Sequence, residues 1–93
     1  MTTMIIFHEV KNRDHWAKAW QKGVGSRHEM FAKIGTKART FQDSKNPNST
    51  GVILEVSDME KCQTLLESDE AKKAMEEDGL KFETIRILNE FTP

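Results

Sequence analysis

Apolar residues in this chain recur with two different spacings, and the switches between them mark the elements. Residues 3–10, TMIIFHEV, are rich in β-branched and aromatic side chains and predict a first strand. Asn12 then has the side chain of an N-cap, and Asp14 sits where a helix dipole favours an anion. Trp16, Ala19 and Trp20 follow on one helical face, with Lys18, Gln21 and Lys22 on the other, until Gly23 stops the helix. The serine-to-glutamate spacing of SRHE, residues 26–29, is that of a capping box. A short helix is expected from there to Gly35, burying Met30, Phe31 and Ile34.

Residues 36–43, TKARTFQD, predict a second strand, and residues 52–56, VILEV, a third. The turn-forming stretch SKNPNSTG between them predicts a hairpin with a long tip. The first pattern then recurs. SDME, residues 57–60, has capping-box spacing ahead of the apolar face Met59, Cys62, Leu65 and Leu66. Ser68 restarts a short helix bearing Ala71, Ala74 and Met75, Gly79 ends it, and residues 80–91, LKFETIRILNEF, read as the last strand. The order βα-ββ-αβ predicts one α+β domain over residues 1–93: a four-stranded antiparallel sheet with helices on one face.

The strands do not alternate cleanly. Met4, Ile6 and Val10 oppose Ile5 and Phe7; Ile53 opposes Val52, Leu54 and Val56; Phe82 and Leu88 oppose Ile85, Ile87 and Phe91. Apolar residues on both sides of a strand imply burial on both sides, and the two helical segments can cover only one. A bare patch of Ile5, Phe7, Ile53, Ile85 and Ile87 exceeds what monomers leave exposed. The second sheet face is therefore expected to meet another copy of the chain. A contact of about 800 Å² per partner, at roughly 25 cal/mol per Å², would offset the ordering cost of a small domain.

Composition removes several function classes. The chain of 93 residues is 37% hydrophobic and 31% charged with a net charge of −1, so no basic excess points to nucleic acid. The run MIIF is far short of a signal-peptide core or a membrane span, so no membrane association is expected. A lone cysteine, Cys62, cannot form an internal disulfide; a reducing cytoplasm and a buried thiol are expected. No H-x-x-x-H or C-x-x-C pair, P-loop, dinucleotide fingerprint or G-x-S-x-G occurs, so neither metal nor cofactor is expected.

Candidate chemistry rests on a few side chains. Trp16 and Trp20 lie one helical turn apart and read first as core, with one ring able to wall a flat ligand. His15 points off the apolar face, whereas His28 falls at the edge of the stripe of the second short helix. His8 shares a parity with Met4 and Ile6, Arg39 with Lys37 and Phe41, and Thr84 and Arg86 with Phe82 and Leu88. If these parities all face the helices, His8, Arg39, Thr84 and Arg86 converge on one cavity, with Glu9, Glu55 and Glu83 opposite. Burying such groups unpaired costs several kcal/mol, so they pair internally or meet a ligand. Arg27 stands at a helix start, where the dipole opposes it. With the free N–H groups there it could hold a carboxylate or phosphate, and a neighbouring glutamate would explain it equally. His8 is the candidate acid–base group, since imidazole titrates near neutrality.

HWAKAW in the first helix, NPNSTGVILEV across the hairpin and SDEAKKAMEEDGL before the last strand, taken with the element order, resemble the dimeric α/β-barrel superfamily. The resemblance spans nearly the whole chain. It implies a ferredoxin-like βαββαβ domain, a homodimer joined through the sheet face, and a pocket between sheet and helices. Members include antibiotic-biosynthesis-type monooxygenases, haem-degrading enzymes, stress-responsive barrels and small domains of no assigned role, and the chain is most similar to the last. Haem-degrading members use a tryptophan and a histidine in the second helical half with a polar residue on the first strand. Residues 61–78 hold neither aromatic residue nor histidine, and only His8 matches. The expected function is a cytoplasmic homodimer binding a small organic anion or aromatic molecule in a pocket drawn from His8, Trp16, Trp20, Arg27, His28, Arg39, Thr84 and Arg86. The alternative is a cofactor-independent monooxygenase acting on an aromatic or polyketide-like substrate. A dimer with no pocket is the third reading.

Overall fold

The computed structural model describes residues 1–21 and 23–93, so the expectation for Lys22 lies outside the described residues. Strand β1 spans Thr2–Glu9 and is followed by helices α1 (Arg13–Ala19) and α2 (Arg27–Ala32). Strands β2 (Thr36–Gln42) and β3 (Ser49–Val56), helices α3 (Met59–Glu67) and α4 (Asp69–Glu77), and strand β4 (Arg86–Asn89) complete the order. The strands lie side by side as β2-β3-β1-β4, every pair antiparallel. Each crossover therefore carries two helices over the same face of the sheet, and β1 and β3 form its centre.

Most helix starts follow the local chemistry. The Asn12 side chain accepts from the His15 N–H, Ser26 from Glu29 and Ser68 from Ala71, each satisfying an amide the helix leaves free. At the third start the cap is Asp58, not Ser57. Asp58 accepts from the Lys61 N–H, while the Ser57 hydroxyl donates to the Gly35 carbonyl at 2.8 Å. Helix α1 stops at Ala19, short of Gly23: its last turn tightens, with the Trp20 N–H bonded to the Ala17 carbonyl. Ala17, rather than Ala19, then packs on the core beside Trp20.

Two strand boundaries move. β3 begins at Ser49, because its ladder to β1 continues through His8↔Thr50 and Glu9↔Ser49. The expected last strand is broken: the Lys81 N–H reaches the Glu9 carbonyl, and residues Phe82–Thr84 then wind into a 3-10 turn. The Thr84 hydroxyl drives the break by donating to the Lys81 carbonyl and accepting the Glu9 N–H, which offers the backbone a turn in place of a ladder.

On the helix side, Met4, Ile6, Val52, Leu54 and Val56 from the two central strands meet Trp16, Phe31, Cys62 and Leu80. Burial raises the Cys62 thiol pKa against a smaller opposing effect of Thr36, so it stays protonated packing material. The other sheet face carries Ile5 opposite Ile53 and Leu88, with Phe7 and Phe41 both opposite Gly51. Phe7, Phe41 and Leu88 remain 42–47% exposed. Ile85 and Ile87 do not belong to this patch. Ile85 packs against the core, and Ile87 pairs with Ile6 on the helix side of an edge strand.

Leu54 is wholly buried between the central strand and the helices. Leu54→Ala should cost about 2–5 kcal/mol in urea denaturation, with the denaturant slope unchanged.

Candidate functional site

The β1–β3 register sets His8 directly opposite Thr50 on the helix side of the sheet. Thr50 Oγ1 lies 3.0 Å from the His8 carbonyl oxygen and 2.7 Å from His8 Nδ1. A hydroxyl has one proton, and both contacts are hydrogen bonds only if it donates to the carbonyl and accepts from Nδ1–H. His8 thus carries its proton on Nδ1 and presents a lone pair at Nε2, which has no partner among the described residues. Burial lowers the imidazole pKa below its ordinary value; the ring's bond to backbone and the nearby Asp78 charge oppose this without overcoming it. At neutral pH the ring is a neutral base.

An aromatic run leads away from it. The His8 and Trp16 rings meet edge-on at 5.6 Å, and Trp16 lies 6.2 Å from Trp20. Trp20 stacks on Phe31 at 5.9 Å and takes the edge of His28 at 5.2 Å. The one-turn spacing of the two tryptophans along α1 produces this run. Among the described residues the buried Trp16 indole N–H has no hydrogen-bond partner, a state that costs roughly 1–3 kcal/mol.

Arg27 and Asp78 close one side. Arg27 Nε and Nη2 donate to the two Asp78 carboxylate oxygens at 2.8 Å each, and Glu77 lies farther off at 3.8 Å. Asp78 is only 6% exposed. Its hydrogen bond is the largest effect raising the Arg27 pKa, burial opposes it, and the pair stays ionised. His8, Trp16, Trp20, Arg27 and Asp78, with aliphatic residues, line a cavity of about 50 Å³ between sheet and helices. That is room for a few water molecules, at roughly 10–15 Å³ for each.

No family profile matches the chain, and no curated protein does. Solved structures do. A candidate antibiotic biosynthesis monooxygenase from Nitrosomonas europaea superposes with a TM-score of 0.71 at 12% identity, over 99% of this chain and 98% of its own. The crystal structure of an antibiotic biosynthesis monooxygenase gives a TM-score of 0.67 at 13% identity, over 100% and 99%. A candidate monooxygenase from Lactobacillus acidophilus NCFM gives 0.64 at 18% identity, over 95% of this chain and 42% of that one. The fold is ferredoxin-like, as theirs is. At these identities the likeness concerns the ferredoxin-like fold alone.

Of the residues singled out from sequence, His8, Trp16, Trp20 and Arg27 meet at the cavity, and the others do not. His28 lies behind Trp20, beside a separate groove along β2. Arg39 pairs with Ile53 and Arg86 with Phe7, so both lie on the opposite sheet face; Arg39 is 3.5 Å from Glu55 and sits over Phe41. Thr84 does not follow the strand parity because it belongs to the 3-10 turn. Arg27 is not a free anion receptor, since Asp78 takes its charge at 2.8 Å and the expected glutamate, Glu77, adds a longer contact at 3.8 Å. Exposed His15 reaches the end of α4, where its Nε2 is 2.6 Å from the Glu77 carbonyl.

Thr50 and Asp78 were missed. Thr50 continues the parity of Val52, Leu54 and Val56 by one step. Asp78 is an acid at a helix C-terminus, where the dipole disfavours it, which is the signature of a cation waiting nearby. Because the folded His8 pKa is depressed, the unfolded chain takes up a proton first as pH falls through about 6.5. The stability present above that pH is thus lost towards pH 5. His8→Gln should lessen this loss, read as the urea midpoint at pH 7 and pH 5.

Proposed function

We propose that the chain is a single-domain, cytoplasmic homodimer that binds a small, uncharged, flat organic molecule between sheet and helices. One observation carries the reading: among the described residues, a neutral histidine with an unpartnered Nε2 sits in an apolar, tryptophan-walled space whose one lining cation, Arg27, is already neutralised by Asp78. A ligand there gains from aromatic contact and from a hydrogen bond donated to His8 Nε2. Charge on the ligand gains nothing, so an uncharged aromatic is favoured over the organic anion.

The dimer half of the proposal rests on the sheet face that holds Ile5, Ile53, Phe7, Phe41 and Leu88. Four helices on one side leave these side chains in water unless a second copy covers them. Sedimentation at micromolar concentration should give a species of twice 10.7 kDa, and Ile53→Asp a species of 10.7 kDa. A wild-type species of 10.7 kDa overturns the dimer.

The second reading is a cofactor-independent monooxygenase for an aromatic or polyketide-like substrate. It is favoured by the monooxygenase names of the structures that share the fold. His8 Nε2 would take the proton of a hydroxylated aromatic, leaving the substrate itself to give electrons to dioxygen. Benzyl alcohol, benzoate and a panel of hydroxylated aromatics, followed by thermal shift and oxygen uptake, separate the readings. Binding of benzyl alcohol over benzoate, lost in His8→Ala, is expected. Preference for benzoate removes the uncharged ligand, and oxygen uptake undiminished in His8→Ala removes His8 as base.

A further inference from the structure

The cavity of about 50 Å³ is too small for the molecule placed there above, since pockets for organic ligands run to roughly 300 Å³ or more. One wall must therefore move, and the walls are not equally held. Ile6, His8 and Val52 belong to the two central strands, locked by a continuous ladder. Helix α1 is tied at its start by Asn12, through His15 to the Glu77 carbonyl, and by buried Trp16. Helices α3 and α4 are joined at Ser68, and Ala71 and Ala74 are buried.

Helix α2 differs. It is six residues long and carries Arg27, Met30 and Phe31 of the cavity wall. Glycines in left-handed backbone flank it, Gly25 at φ 81° and Gly35 at φ 70°, a conformation other residues adopt at a cost. The two ends are unlike. At Gly35 the carbonyl accepts the Ser57 hydroxyl, and an added Cβ would come within 2.5 Å of that oxygen, so this end is pinned. Around Gly23 and Gly25 no described residue beyond the chain neighbours lies within 4 Å of where a Cβ would sit, and Val24 is 98% exposed. The cavity-side charge contact at this free end runs from Arg27 to Asp78, the residue that caps α4.

We infer that α2 is a hinged cover over the His8 cavity, pivoting at Gly35 and latched at its free end by the Arg27–Asp78 ion pair. Buried bidentate pairs suit a latch. The closed state is well defined, while opening returns both charges to water and so recovers part of the desolvation cost. Opening swings Met30 and Phe31 away from Trp20 and enlarges the space beside His8. Access is thereby set by the Arg27–Asp78 contact in the cavity wall.

Hydrogen–deuterium exchange on the full chain tests the motion without any ligand. Arg27→Gln should speed exchange over residues 27–34 by ten-fold or more and leave β1 and β3 protection unchanged. The Arg27→Gln/Asp78→Asn double variant, which strands no buried charge, should show the same local pattern. Unchanged exchange over α2 in both variants overturns the latch. So does acceleration spread evenly over sheet and helices in both, since that reports general loss of stability. The ligand part rests on the function proposed above, and benzyl alcohol separates the two: faster association in Arg27→Gln supports both. Local opening with no benzyl alcohol binding in any form keeps the cover and removes the ligand reading.

Discussion

The antiparallel ladder between β1 and β3 is the constraint on which both core and site depend. It pairs eight positions, from Thr2↔Val56 to Glu9↔Ser49. Side chains alternate across a sheet, so a slip of one residue would turn Met4, Ile6 and His8 out together. The aliphatic neighbours hold the register, and the imidazole is carried inside with them. Its partner arrives by the same route, because Thr50 is the residue opposite. Burial then sets the chemistry: desolvation keeps the ring uncharged, and the hydroxyl decides which nitrogen bears the proton.

Element order, the sheet with helices on one side, and the caps Asn12, Ser26 and Ser68 were legible in the sequence, since each follows from spacing within a few residues. The failures were places where distant backbone competes for the same side chain. Ser57 has the spacing of a cap, but Gly35 lies near enough to claim its hydroxyl. Residues 80–91 have strand composition, yet Glu9 draws Lys81 and Thr84 into a turn. No local pattern contains those contacts.

Parity explains the mixed outcome at the site. His8 was placed correctly by its step from Ile6, inside one unbroken strand. Arg39 and Arg86 needed the register between strands, which puts them opposite Ile53 and Phe7 on the far face. Arg27 was noticed for its awkward place at a helix start, and the structure answers with a carboxylate at another helix end, 51 residues away. Each is the wrong charge for its own dipole, and together they cancel. That cancellation leaves the cavity without net charge and gives His8 its importance.

Ser68 has an effect beyond its own position. One oxygen closes α3 by donating to the Leu65 carbonyl at 2.6 Å and opens α4 by accepting the Ala71 N–H at 3.1 Å. Ser68 alone separates the two helices, so neither end can fray without disturbing a bond of the other. The corner has no slack, and strain at one helix is felt by its neighbour. Asp78, at the far end of α4, is consequently the stationary jaw against which a moving arginine can close.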